Sequence, residues 1–440
     1  MKDMIITDEM QKVMDLITGT KEHVFVTGKA GTGKTTFLRR LTQECRELGK
    51  QYAVTAPTGV AAIHARGVTI NSLLCIPFGP KLPKSKLDHY FSTAKTEMLL
   101  QLDVLIIDEV SMVRCDMMDT VDRQLRWVRE SDEPFGGVQV VMFGDLYQLP
   151  PVVKSEDMDI LKRAYTDFYF FNAVVWQKCG FHVVELTRIF RQTDTRFVDL
   201  LNNVRTYSVT ADDLDTLGEL KDKTMCNTYD NGFIHICTHK KDVERINSEM
   251  LGEYEAAYHA LIRDQFPESS APCDLYLPLR KGARVMSLIN DLEKGCFNGM
   301  LGYVEKLGDK KVEVKMDNGR HITFEPYKWT NIQYVVKNDE IETREIGSCT
   351  QIPLRLAWAI TIHKSQGLTF DKVAVHIAKT FCPGQLYVAL SRCRTLEGIV
   401  SDAYVTRRMI IPEYALTDFE RAYKAEDGWY GHREKKEEKA

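Results

Sequence analysis

The 440-residue chain is short of several features that assign a protein quickly. Its eleven cysteines include no Cys-x-x-Cys pair, which argues against a zinc ribbon or a disulfide framework and leaves reduced thiols as the expectation. No run reaches the ~18 apolar residues needed to span a membrane. Met1-Lys2-Asp3-Met4-Ile5-Ile6 lacks signal-peptide architecture, so a soluble, intracellular protein is expected. Charge of one sign is not in excess either, since 58 Lys and Arg against 62 Asp and Glu leave −4. A polyanion would have to be met by a local basic groove rather than a basic surface. Low-complexity segments are absent, and the mixed-charge end from His432 to Ala440 reads as a solvated tail. What the composition does supply is 44% apolar residues, enough for sizeable cores in two to four domains.

The most informative stretch is Gly28-Lys29-Ala30-Gly31-Thr32-Gly33-Lys34-Thr35. Apolar Val24-Phe25-Val26 precedes it and helix-favouring Phe37-Leu38-Arg39-Arg40-Leu41 follows, the strand–loop–helix setting of a phosphate-binding loop. Glycines let successive amide N–H groups point at a β-phosphate, with the positive end of the helix behind them. Lys34 can reach the β/γ oxygens and the Thr35 hydroxyl can bind Mg²⁺. A nucleoside triphosphate is the expected ligand.

The first ~185 residues alternate apolar strands with helical patterns, as a parallel α/β sheet requires. Tyr52-Ala53-Val54, Val104-Leu105-Ile106-Ile107 and Val140-Val141-Met142-Phe143 are nearly all apolar, as strands covered on both faces should be. A second alternating block follows. Phe197, Leu200, Leu201 and Val204 fall at helical spacing, and Phe233–Ile236 and Val373–Val375 read as buried strands. Between these strands, from about Gly299 to Gly347, lies a run of short alternating strands. Val312–Met316 and His321–Phe324 flank an Asp317-Asn318-Gly319 turn, the strongest short hairpin signal. Short strands at Gln333–Val336 and Ile341–Thr343 complete the expectation of an inserted β-barrel. A Pro- and Lys-rich insertion occupies roughly 64–86.

Two carboxylates, Asp108 and Glu109, end the strand Leu105–Ile107. Asp108 fits the outer-sphere acid of a Mg²⁺ ion, and Glu109 could polarise the attacking water. Gln148 follows the strand ending at Phe143 and could sense a γ-phosphate; on this string alone a plain loop is an equal reading. Arg191 and Arg392 lie in defined contexts of the second half, where a guanidinium could neutralise the transferred phosphoryl group.

Taken in order, these strings resemble a superfamily 1B helicase, and most closely the Pif-type DNA helicases. The carrying segments are GKAGTGKT from Gly28, APTGVAA from Ala56, DEVSM from Asp108 and PFGGVQ at Pro134–Gln139 with Val121–Arg126 ahead of it. They continue with FGDLYQLPP from Phe143, FRQ at Phe190, AITIHKSQGLTF from Ala359 and QLYVALSR from Gln385. The resemblance runs from about residue 4 to residue 405. It implies two RecA-like domains in tandem, 1–185 and 186–296 with 347–425. A small wedge would be inserted at about 64–86, an SH3-like barrel at 297–346, and a charged tail would run from 426 to 440. It implies nucleotide binding by Gln11, Gly28, Ala30, Gly31, Thr32, Gly33, Lys34, Thr35, Thr36 and Gly367, with Gln11 reading adenine. Asp108 and Thr35 would serve Mg²⁺, Glu109 the water, Gln148 the γ-phosphate, and Arg191 and Arg392 the cleft as arginine fingers. Pro57, Thr58, Thr361 and His363 match positions facing the DNA backbone. Thr69-Ile70-Asn71-Ser72 departs from the family's Thr-x-His-Ser, with Asn71 keeping a donor for phosphate beside Ser72.

The expected activity is ATP-driven 5′→3′ movement on single-stranded DNA and unwinding of duplex, forked or structured DNA in repair and recombination. A monomer with no stable protein partner, in a bacterial cytoplasm and associated with the nucleoid, is the expected setting. An RNA or RNA–DNA hybrid helicase, a non-translocating DNA-dependent ATPase switch and a DNA-binding protein with a relic ATP site are the alternatives.

Overall fold

The computed structural model describes residues 5–77, 79–83, 91–190, 194–229, 231–291, 293–337, 340–378, 380 and 382–431. Apolar runs that lack alternation become strands buried on both faces, as a helix-covered parallel sheet demands. Val24–Gly28 lies between Gln139–Phe143 and Phe181–Leu186. The sheet continues through Val104–Ile107 and Tyr52–Ala56 to Val68–Thr69, all parallel. Helices Asp8–Gly19 and Lys34–Glu47 cover one face with Met10, Val13, Ile17, Phe37 and Leu41. Helix Cys115–Val128 covers the other with Met118, Val121 and Leu125.

The two halves of one family string meet under this sheet. Asp122 Oδ1 accepts the Phe135 N–H at 2.7 Å, and Arg129 Nε donates to the Gly136 carbonyl at 2.7 Å. Phe135 is thereby seated against His23 and Trp176, with ring centroids 5.0 and 4.8 Å away. The segment expected as a wedge is tied to the same helix: Lys81 N–H donates to Asp116 Oδ2 and Arg123 Nη1 to the Leu82 carbonyl. Residues 78 and 84–86 of that segment lie outside the described residues.

A second parallel sheet orders Ala359–Thr361, Ile234–Cys237, Val373–His376 and Ile399–Ser401. Trp358 is buried on the bend before the first of these strands. Between Ala256 and Leu356 every strand pairing is antiparallel. The Asn-Gly hairpin forms, with Lys311–Met316 against His321–Phe324. Its sheet recruits Arg284–Ser287 and Leu354–Leu356 from outside 297–346. The two short strands expected near 333–343 are instead one long ribbon, Tyr327–Lys337 against Glu340–Gln351, with Leu261–Asp264 on its edge. Polar residues such as Thr330, Asn331, Gln333, Glu342 and Arg344 fall on both faces of this partly exposed ribbon, so no alternation marks its length.

The chain end also departs from expectation. Helix Tyr414–Ala425, assigned to the second domain, brings Phe419 onto Phe171, Phe181 and Phe25 of the first sheet's core, with centroids 4.3, 6.2 and 6.4 Å apart. Trp429–Tyr430, expected in a charged tail, adds to that sheet as an antiparallel edge beside Phe181–Leu186. Burying these aromatics outweighs the charge of their neighbours. Among the described residues no helix is long and apolar enough to cross a membrane.

Candidate active site

The loop after the central strand curls because glycine stands where nothing larger fits. A Cβ at Gly28 (φ 151°) would lie 2.7 Å from the Leu186 carbonyl oxygen and 2.9 Å from Thr32 Oγ1. Gly33 then takes a left-handed conformation as the N-cap of helix Lys34–Glu47. Lys34 Nζ folds back onto the Gly28 and Lys29 carbonyls at 2.6 and 3.1 Å, and Thr32 Oγ1 donates to the Lys29 carbonyl at 3.0 Å. Thr35 and Thr36 are exposed on the first helical turn, where the helix N-terminus favours an anion. The Gly31 carbonyl accepts the Phe190 N–H at 2.9 Å, so the string holding Arg191 begins against this loop. Arg191 itself lies outside the described residues.

Asp108 and Glu109 follow the parallel strand Val104–Ile107, two strands from the loop. Burial pushes the Asp108 carboxyl up, against the Glu109 N–H that it accepts at 3.0 Å and the Lys34 and Arg39 charges. Burial, then the Asp108 charge, push Glu109 up to about 7, opposed by Lys34 and Arg392. Glu109 also holds a left-handed backbone (φ 51°, ψ 43°), an uncommon and costly conformation for a side chain of this type. A carboxylate with these properties is poised to take a proton near neutral pH.

Gln148 is buried, and its Nε2 reaches Asp145 Oδ2 at 3.4 Å. Arg392 comes from the second sheet's side, and the residue is 1% exposed. It donates to the carbonyls of Val388, Ser365 and Leu368 and to Ser391 Oγ, while its charge acts on Glu109. Gly367 is exposed with φ 76°, just after the helix Ile362–Ser365. Gln11 is exposed on helix Asp8–Gly19 and donates to Asp15 Oδ1 at 2.8 Å.

Two of the six residues expected to face DNA, Thr58 and Thr361, are helix N-caps. Thr58, exposed after half-buried Pro57, accepts the Ala61 N–H. Thr361 is buried and accepts the Lys364 N–H, with His363 exposed two residues along. The Asn71 amide donates to the Ile76 carbonyl at 2.8 Å and holds its own turn together, and Ser72 beside it is exposed.

Three residues around Asp145 were not singled out from the sequence. Arg205 donates to Asp145 Oδ1 at 3.1 Å in a fully buried pair and lies 4.1 Å over the Tyr147 ring. Tyr387 accepts the Ala30 N–H at 3.0 Å and donates to Asp145 Oδ2 at 3.3 Å. Asp145 and Tyr387 lie inside quoted strings, but Arg205 carries no sequence signal beyond ending an amphipathic helix.

A PIF1-like helicase family model matches residues 5–216. The chain is 35% identical over 418 residues to "ATP-dependent DNA helicase PIF1" of Xenopus laevis, an alignment that covers 90% of this chain and 61% of that protein. The chain thus spans about 60% of the length of such curated relatives. The crystal structure of Bacteroides sp. Pif1 in complex with ADP-AlF4 is 63% identical, covers 98% of this chain and 100% of its own, and superposes with a TM-score of 0.94. Bacteroides Pif1 bound to ssDNA, with the same identity and coverage, gives 0.72.

Proposed function

Since the chain belongs to the PIF1-like helicase family, we propose that it is an ATP-driven DNA helicase. In this reading it moves 5′→3′ on single-stranded DNA and opens duplex or forked DNA. The observation that carries this reading is the composition of the cleft. The phosphate loop, Asp108, Glu109 and Gln148 belong to the first sheet, and Arg392, from the second sheet's side, acts electrostatically on Glu109. Two RecA-like units that share one nucleotide convert its hydrolysis into opening and closing of the cleft. Different grips on the strand in the two states then give directed movement.

Within this reading Lys34 leaves the Gly28 and Lys29 carbonyls for the β/γ oxygens, and Glu109 orients and deprotonates the water. Gln148 senses the γ-phosphate, and Arg191 and Arg392 neutralise developing charge. The Thr35 hydroxyl and Asp108 carboxylate are hard oxygen donors of the kind Mg²⁺ takes alongside phosphate oxygens and water. That ion would supply charge neutralisation at the phosphates. Pro57, Thr58, Asn71, Ser72, Thr361 and His363 would face the DNA backbone. The segment 64–86 would act as a wedge and the antiparallel region as an SH3-like barrel shaping the exit.

The test uses duplexes with a 5′ or a 3′ single-stranded tail, in DNA and RNA versions, with wild-type protein and Lys34→Ala. Unwinding of 5′-tailed DNA by the wild type alone is expected. Unwinding of only the 3′-tailed substrate would refute the polarity, preference for RNA would refute the substrate, and an active Lys34→Ala protein would refute the site.

A further inference from the structure

The peptide between Lys29 and Ala30 is held from both ends. Its carbonyl takes the Lys34 ammonium at 3.1 Å, the Thr32 hydroxyl at 3.0 Å and the Thr32 N–H at 3.3 Å. Its N–H donates to the Tyr387 hydroxyl, 357 residues away on the helix Gln385–Leu390. That hydroxyl spends its own proton on Asp145 Oδ2, the same oxygen that receives the Gln148 amide. Asp145 is held in turn by Arg205, which donates to Oδ1 from both Nε and Nη2, and by the Tyr147 N–H. One phenol therefore connects the peptide that holds Lys34 to the carboxylate that holds Gln148.

The approach of the helix is close enough to make this connection stiff. Gly384, its N-cap, has φ 75°, and a Cβ there would stand 2.1 Å from the Gln148 carbonyl oxygen. Only glycine lets the two backbones meet. Tyr387 is 3% exposed, so its hydroxyl has no water to fall back on, and both of its hydrogen bonds must be made within the protein.

The geometry points to Tyr387 as a positioning residue of the ATPase centre. Its phenol sets the plane of the Lys29–Ala30 peptide and the stance of Asp145, so that Lys34 and Gln148 are aligned together only when the helix Gln385–Leu390 is seated. The phenol takes the Ala30 N–H, which was expected for the nucleotide and is thereby withheld from phosphate. It touches neither the amides of the first helical turn nor the Thr35 hydroxyl, so its loss should change nucleotide affinity less than rate. Its contribution is alignment at the step of bond breaking, which appears in kcat rather than KM. The role rests on the helicase reading for its substrate, but the contact itself does not.

The experiment compares wild type with Tyr387→Phe, which removes one oxygen and leaves the ring. Single-stranded-DNA-stimulated ATP hydrolysis is measured with a poly-dT oligonucleotide, and amide exchange is followed in a peptide spanning 28–33. Expected are a fall of about tenfold or more in kcat with KM for ATP within about twofold, the scale of the two buried hydrogen bonds that the deleted oxygen makes. A melting temperature lowered by no more than a few degrees, with hydrolysis assayed well below it, and faster exchange at Ala30 should accompany it. If the wild type shows no DNA-stimulated hydrolysis, the helicase reading fails and the exchange arm alone judges the contact. If wild type is active and Tyr387→Phe keeps its kcat, or loses kcat only in step with its melting temperature, the positioning role is overturned. Unchanged Ala30 exchange overturns the contact on which it stands.

Discussion

Glu109→Gln should raise stability and destroy activity, and the structure sets the size of both effects. Moving a carboxyl from its ordinary 4.5 up to about 7 costs the folded protein about 1.4 kcal/mol per tenfold change in proton affinity. The sign follows from proton counting. Between pH 4.5 and 7 the folded chain keeps a proton that the unfolded chain has released, so stability falls as pH rises through that window. The penalty is about 1 kcal/mol at pH 5 and about 3 kcal/mol at pH 8. Glutamine keeps the shape and the left-handed backbone but carries no charge beside Asp108 and Asp145. The variant should therefore melt above wild type at pH 8, with a much smaller gain at pH 5, read by calorimetry in matched buffers. The same change removes the group proposed to accept the water's proton, and DNA-stimulated hydrolysis should fall by about 10²- to 10⁴-fold. For the wild type, kcat/KM should rise with pH through about 7 as the carboxyl ionises. A Glu109→Gln protein that is less stable at pH 8, or equally stabilised at both pH values, would refute the strained-base account. Retained hydrolysis would refute the catalytic half.

Other perturbations read the frame around the site. Arg205→Ala leaves Asp145 buried without its ion pair and should cost about 3–5 kcal/mol in urea unfolding; a loss below about 1 kcal/mol would contradict the buried geometry. Phe419→Ala removes an aromatic packed on Phe171, Phe181 and Phe25 and should cost about 3–5 kcal/mol. Faster amide exchange is expected in Phe181–Leu186, and unchanged exchange there would show that the terminal helix does not brace the first sheet.

The readable parts of this fold were those whose signal is local. Buried parallel strands announce themselves as unbroken apolar runs, and Val24–Gly28, Val104–Ile107 and Gln139–Phe143 lie where their runs lie. The Asp317–Gly319 turn was legible because its chemistry demands positive φ, and Gly319 has φ 82°. The ribbon 327–351 was legible only at 333–336 and 341–343; its full length was not, because polar residues on both faces leave no period to find there. Nor was the return of the chain end, since Phe419 and Trp429 sit among charged residues and their burial depends on a sheet completed about 230 residues earlier. Among the candidates, Lys34 and Asp108 could be named because their strand–loop settings are contiguous, whereas Gln148 read equally as a plain loop until the family resemblance was added. Asn71 could be named as a departure, but its use on the Ile76 carbonyl appears only once the turn is built.

By itself the amino-acid sequence determined the phosphate loop, because consecutive amides and glycines carry their own geometry wherever the strand and helix are placed. It also narrowed the candidates for chemistry, since two carboxylates ending an apolar strand and a lysine closing a phosphate loop are legible from contiguous residues. Tertiary structure alone decided what stands opposite them. The phenol on Ala30, the guanidinium paired with Asp145 and the charge of Arg392 on Glu109 arrive from elements hundreds or tens of residues away. Contacts across a cleft follow no spacing rule along the chain; they follow from how two sheets and the helices between them pack.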